Sequence, residues 1–281
     1  SNINDKKNLD KMLLPGLEPL GVPDNLDKTS IPFLFNEVEN LKWQWDKFGG
    51  CEIIVIEGAR NSIINEEMAL YLSKLQDEKG VLIIIDEITS GFRSSYGGSY
   101  LDTSLKPDIV VFGKGIGNGF PISVVVGKSE IMRFANDTFM SSLNWTERTG
   151  FAASLKTLEI FKRNKVWKTL IEGGEYIYNE WRSIFEKYEF DVSISSFYPL
   201  ISFSFKEKNK NDTFKTFVTH EMLKFKYLAS SSLYLTALHS KNELEEYIFY
   251  FDKVMEKLSK KRDSKKLVNV SIRSDLFKRL T

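Results

Sequence analysis

Two ionisable side chains stand just beyond apolar runs. Asp86 closes "VLIIIDE" (residues 81–87), and Lys114 follows "PDIVVFG" (107–113). In covered α/β sheets, ligands bind beyond the carboxyl ends of the strands. A carboxylate at such a point either caps the following turn or acts on a ligand. A lysine there is either a solvated loop residue or an amine in a partly desolvated pocket, where it attacks carbonyls. Glycines at 113, 115, 117 and 119 flank Lys114. They would let a bound molecule approach the backbone closely.

A lysine that forms a Schiff base, with an aspartate on a pyridinium nitrogen, is what a protein contributes to pyridoxal-phosphate chemistry. The carboxylate keeps the ring nitrogen protonated, and the freed lysine amine shuttles the substrate proton. Nucleotide loops fit less well. The glycine spacing is not G-x-G-x-x-G, and no G-x-x-x-x-G-K-[ST] is present. No Ser/His/Asp arrangement stands out. A different sheet enzyme, using Asp86 and Lys114 as a plain acid/base or ion pair, is the alternative.

Four apolar runs must hold these groups: 51–57, 81–87, 107–113 and 122–127. Continuous rather than alternating apolar residues predict a sheet covered on both faces. The intervening "EEMALYLSKLQDEK" sets Met68, Leu72 and Leu75 on one helical face, with Gly80 as its stop. Strand, helix, strand in that order predicts α/β with a mostly parallel sheet. A short helix is expected over 37–48. Pro15, Pro19, Pro23 and Pro32 make residues 1–35 an extended loop.

The pattern changes after residue 150. "GFAASLKTLEIFK" reads as a helix, 166–188 as a long amphipathic helix, and 193–205 as an alternating strand. Leu244, Tyr247, Ile248, Phe251, Val254, Met255 and Leu258 trace a final helix face. We therefore expect a large-domain core over 1–162, a smaller C-terminal α+β domain over 163–260, and a basic, solvated extension over 261–281.

The 281 residues are 42% hydrophobic and 27% charged, an ordinary globular balance. A net charge of +1 argues against nucleic acid as the main partner. No apolar run reaches the roughly 20 residues of a membrane span, so no membrane partner is expected. A single cysteine, Cys51, is read as a buried small hydrophobe and fits a reducing, cytoplasmic location. With His220 and His239 it leaves too few ligands for a His/Cys zinc cluster, so no metal is expected.

The blocks "IIIDEITSGFR" and "KPDIVVFGKGIGNGFPISVVVGKSEIM" resemble the signature of the class III (fold type I) pyridoxal-phosphate aminotransferases. The glutamate-1-semialdehyde aminomutase-like branch is the nearest in look. "IEGARNS", "WTERTGFAASLKTLEIFK" and "LYLTALHSKNELEEYI" extend the resemblance over most of the chain. It implies a fold type I core and amino-group transfer or migration between an amino compound and an aldehyde or keto acid, with pyridoxal 5'-phosphate as cofactor. Lys114 would carry the Schiff base, Asp86 would pair with the ring nitrogen, and Ile88 would pack on the ring. Glu57 and Asn61 would lie near the cofactor. Arg93 lies inside the block, with a structural ion pair and a site role both open.

The family also implies a homodimer in which a partner threonine binds the cofactor phosphate. Leu143 occupies that position here, and Ser141, Ser142, Asn144 or Thr146 could substitute. Residues 1–50 match neither the family's phosphate turn nor its ring-stacking aromatic. The chain thus resembles the family without its N-terminal third. This leaves two further expectations: a separate N-terminal half as partner, or an incomplete, catalytically impaired homologue acting as a scaffold.

Overall fold

The computed structural model describes residues 29–141, 143–144, 147–207, 209–264 and 267–272. Helix α1 (Val38–Phe48) ends where Gly49 turns left-handed at φ 79° and returns its N–H to the Trp45 carbonyl. Strand β1 (Ile53–Glu57) follows. Helix α2 (Glu66–Lys79) begins at Asn65, whose side chain accepts from the Met68 N–H, and ends at left-handed Gly80. Met68, Leu72 and Leu75 are buried beneath it, as their spacing predicts.

Strands β2 (Leu82–Asp86), β3 (Ile109–Phe112) and β4 (Val124–Gly127) complete a sheet of order β1-β2-β3-β4. The first three strands run parallel, and β4 is antiparallel to β3. Asp108, just before β3, ties these elements together. Its Oδ2 accepts from the Ile83 N–H and Gln76, and its Oδ1 accepts from Lys128.

The expectation of a mostly parallel sheet covered by helices holds, with the cover most complete at the centre. Ile83 and Ile85 of β2 are fully buried, but Ile53 and Val55 of β1 are 51% and 58% exposed. Val125 and Val126 of β4 are also exposed. Among the described residues, the cover thins at β1 and β4, because they are the sheet's two edges. Cys51 is likewise exposed rather than buried, since it precedes an edge strand.

After a short helix α3 (Ser129–Met132), helix α4 (Thr149–Asn164) meets helix α5 (Val166–Lys187) at Lys165, whose left-handed φ of 49° breaks the axis. The segment 193–205 is two strands rather than one. Strand β5 (Val192–Ile194) and strand β6 (Leu200–Phe205) pair antiparallel, joined by a turn ending in Pro199. Proline has no N–H to give to a ladder. Helix α6 (Asn211–Lys224) and strand β7 (Ser232–Tyr234) were not expected from the sequence. Strand β7 pairs with β6, and α7 (Lys241–Lys261) buries every residue of its expected face.

The described residues contain two main hydrophobic cores. One gathers α1, α2 and the parallel strands, and the other gathers α5, α6, α7 and the small sheet. The second is aromatic, with Trp181 meeting Phe203 edge-on at 4.9 Å and 84°. Leu267 and Val268 pack partly against it, so this part of the basic extension is docked rather than solvated. Among the described residues, no helix is long and apolar enough to cross a membrane.

Candidate active site

Parallel pairing fixes the first feature. Glu57 sits opposite Asp86, and Asp86 opposite Val111, so three strands end at one rim. Asp86 is half-buried, and its Oδ1 accepts from the Ile88 N–H at 2.8 Å. That is the turn cap expected of an aspartate after a strand. Among the described residues, the other carboxylate oxygen accepts no hydrogen bond, so capping leaves it free for a ligand.

Lys114 lies beyond β3 in a left-handed backbone at φ 45°, uncommon for a residue with a Cβ. Its side chain is exposed rather than desolvated. Its Nζ donates to the Thr89 hydroxyl at 2.7 Å. Gly113, just before it, faces Ile88: a Cβ there would touch the Ile88 side chain at 3.4 Å. Asp86, Ile88, Thr89, Gly113 and Lys114 therefore form one cluster across the ends of β2 and β3.

A cavity of about 540 Å³ opens beside it, lined by Arg93, Lys114, Asn118, Phe120, Pro121 and Ile122 among others. Arg93 is not the structural ion pair that its position allowed. Its Nε donates to the Thr89 carbonyl at 2.8 Å, and its guanidinium lies 6.0 Å from the Tyr234 ring of β7. Among the described residues no carboxylate pairs with it. Burial lowers its pKa from the ordinary guanidinium value, and the nearby Tyr234 opposes that weakly.

Among the remaining candidates, Glu57 stands beside Asp86 at the rim. Glu57 is ion-paired to Arg60 at 2.7 Å. The Asn61 side chain is exposed, and its carbonyl accepts from the Ser196 and Phe197 N–H groups, tying the segment after β1 to the turn between β5 and β6. Leu143 is 99% exposed, and Asn144 is exposed beside it in a turn. Ser141 is exposed as well. Ser142 and Thr146 lie outside the described residues.

Two residues were missed from sequence. Thr89 serves both Lys114 and Arg93, yet nothing in its type distinguishes it. Glu87 is fully buried. Its Oε1 accepts from the Ser99 hydroxyl and the Tyr100 N–H, and its Oε2 accepts from Ser90. Burial pushes this carboxyl above the ordinary range, and those hydrogen bonds only partly offset the shift. Strand alternation was the available signal, because adjacent residues point to opposite faces.

Residues 49–234 match the family "Aminotransferase class-III". A glutamate-1-semialdehyde 2,1-aminomutase of Sulfurihydrogenibium is 27% identical over 80% of this chain and 58% of its own length. A 3-aminobutyryl-CoA aminotransferase of Cloacimonas acidaminovorans is 32% identical over 55% of this chain and 39% of its own. Among solved structures, an omega-transaminase from Sphaerobacter thermophilus superposes with a TM-score of 0.76 at 16% identity. It covers 84% of this chain and 59% of that one. A Sphingopyxis protein, FumI, solved in its pyridoxal-phosphate internal aldimine form, gives 0.76 at 20% identity, covering 83% and 58%. The chain thus spans about 58% of the length of that aminomutase, and its fold is that of the fold type I transaminases. With the family match extending over most of the chain, it belongs to the class III aminotransferases.

Proposed function

We propose that this chain holds the ring end of a pyridoxal 5'-phosphate site and takes part in amino-group transfer or intramolecular amino migration. The observation that carries this is the cluster at the ends of β2 and β3. There an exposed amine and a carboxylate with one free oxygen issue from neighbouring strands, with Ile88 between them and the Gly113 backbone.

The residues present fit the ring. Asp86 offers an anionic oxygen for a ring nitrogen, Ile88 an apolar surface for a ring face, and Lys114 a primary amine. Bound there, the cofactor would supply a reactive aldehyde carbon and a ring that withdraws electrons from the substrate. Asp86 would hold a proton on the ring nitrogen through its free oxygen. The Lys114 Nζ is a nucleophile for a carbonyl carbon, with water as the leaving group; once displaced there by the substrate's own amino group, the freed amine would take a proton from the substrate α-carbon and return it. The Thr89 hydroxyl orients that amine before it reacts. Lys114 takes a left-handed backbone at the strand end, and its side chain lines the cavity.

For the phosphate end we assign Asn144 and Ser142, which flank Leu143, with Glu57 and Asn61 at the rim. We also assign the exposed apolar residues Phe134, Phe139, Leu143, Phe151 and Leu155 to contact with a second copy of the chain. Phe151 and Leu155 belong to α4, which packs over the Lys114 turn. A lone Cys51 supports a reducing, cytoplasmic setting.

The test is spectroscopic. Adding pyridoxal 5'-phosphate to the purified chain should give a visible absorbance band that borohydride removes, leaving the label on the peptide containing Lys114. Lys114→Ala should abolish both. A band that survives in Lys114→Ala, or a label elsewhere, would overturn the lysine assignment.

A further inference from the structure

We infer that Arg93 is a specificity residue that takes a carboxylate of the substrate. The inference rests on the cavity beside Lys114 being the substrate site. Three observations point to it. First, Arg93 lines that cavity together with Lys114. Second, its guanidinium is half-buried and has no acidic partner among the described residues. A guanidinium withdrawn from water keeps its charge, so an anion brought into the cavity gains a charge-assisted contact at little further desolvation cost.

Third, the geometry leaves the right face free. The Nε is committed to the Thr89 carbonyl, which turns the guanidinium and leaves its two terminal nitrogens for a ligand. Two parallel N–H donors match the two oxygens of one carboxylate. The Tyr234 ring, 6.0 Å away, holds the cation from the side of the small lobe.

Thr89 ties this to the chemistry. Its hydroxyl receives the Lys114 amine and its carbonyl receives the Arg93 Nε. The reacting amine and the anion site are thereby set from a single residue. The arrangement selects amino compounds, and their keto or aldehyde partners, that carry a carboxylate, over amines that lack one.

The test uses the full chain without added cofactor, so that it does not depend on cofactor loading. Titration calorimetry should show glutarate binding more tightly than glutaramide, its uncharged counterpart. Arg93→Gln should weaken glutarate about tenfold or more and leave glutaramide unchanged, while Arg93→Lys should recover part of the loss. In the wild-type chain, glutarate should also slow phenylglyoxal modification of Arg93, read by peptide mass. That arm needs no variant to fold. The inference is overturned if wild type does not prefer glutarate, if Arg93→Gln binds it equally well, or if Arg93 goes unprotected. Stronger protection by inorganic phosphate than by glutarate would overturn it too, by assigning Arg93 to another anion. Failure of the cofactor reading would show separately, as absence of the borohydride-sensitive band.

Discussion

Replacing Glu87 gives a sharp test of how the site loop is held. Its carboxylate is fully buried and accepts three hydrogen bonds, from Ser90, Ser99 and the Tyr100 N–H. Glu87→Ala strands all three donors, and a backbone N–H cannot rotate toward another partner. At about 1–1.5 kcal/mol for each net bond, the loss should be about 3–5 kcal/mol. Glu87→Gln keeps the shape. Its amide oxygen can still accept from Ser99 and Tyr100, and the Ser90 hydroxyl can turn to accept from the amide nitrogen. It should cost about 1 kcal/mol or less.

The two variants also differ in pH response. Burial raises the folded carboxyl above its unfolded value. The unfolded chain therefore releases its proton first as pH rises, and folding must retain it. Wild-type stability should fall between the ordinary carboxylate range and the raised folded value, and stay level above it. Glu87→Gln has no such proton, so its stability should gain on wild type across that window. Urea unfolding followed by circular dichroism at a series of pH values measures both effects. Equal losses for Ala and Gln would refute the hydrogen-bond account, and a Gln–wild-type difference that does not change with pH would refute the burial account.

Asp108 should behave in the opposite sense. Burial alone would raise its carboxyl, but Lys128, the Ile83 N–H and Gln76 together hold it below the ordinary range. Its stabilisation is present above that range and lost as pH falls through the depressed value, so Asp108→Asn should flatten the acid side of the unfolding profile at a cost of about 2–4 kcal/mol. The assignment of the exposed apolar side chains to a second copy predicts a dimer in sedimentation velocity, and Leu143→Asp should shift it toward monomer. A wild-type chain that sediments as a monomer at high concentration would refute that assignment.

The sequence showed most clearly what depends on local pattern. The α2 and α7 faces followed from 3.6-residue spacing, and Asp86 and Lys114 stood out because each follows an unbroken apolar run. Layer coverage was harder to read. Ile53 and Val55 have the same residue types as buried strand positions, yet they are exposed because β1 is an edge. The break at Pro199 divided one alternating run into two strands. Arg93 could not be resolved either, since its surroundings include Tyr234, more than a hundred residues later in the chain. Pairings of that range leave no trace in spacing.

The adjacent pair Asp86 and Glu87 shows why the site loop is so firmly placed. Alternation along a strand turns one carboxylate to the rim and the other inward. The inward one fixes the segment that follows, because Ser90 and Ser99 both donate to it. Its pocket is closed from the end of β1 as well: a Cβ at Gly58 would lie 2.3 Å from Glu87 Oε1, and one at Gly98 would lie 2.8 Å away. Inside the loop, a Cβ at Gly91 would lie 2.6 Å from the Phe112 ring of β3. The loop carrying Arg93 is thus seated against the ends of three strands. It also follows that Glu87, the acid nearest to Arg93 in sequence, is fully committed to Ser90, Ser99 and Tyr100. Arg93, seated on the same loop, donates its Nε to the Thr89 carbonyl and meets no carboxylate among the described residues.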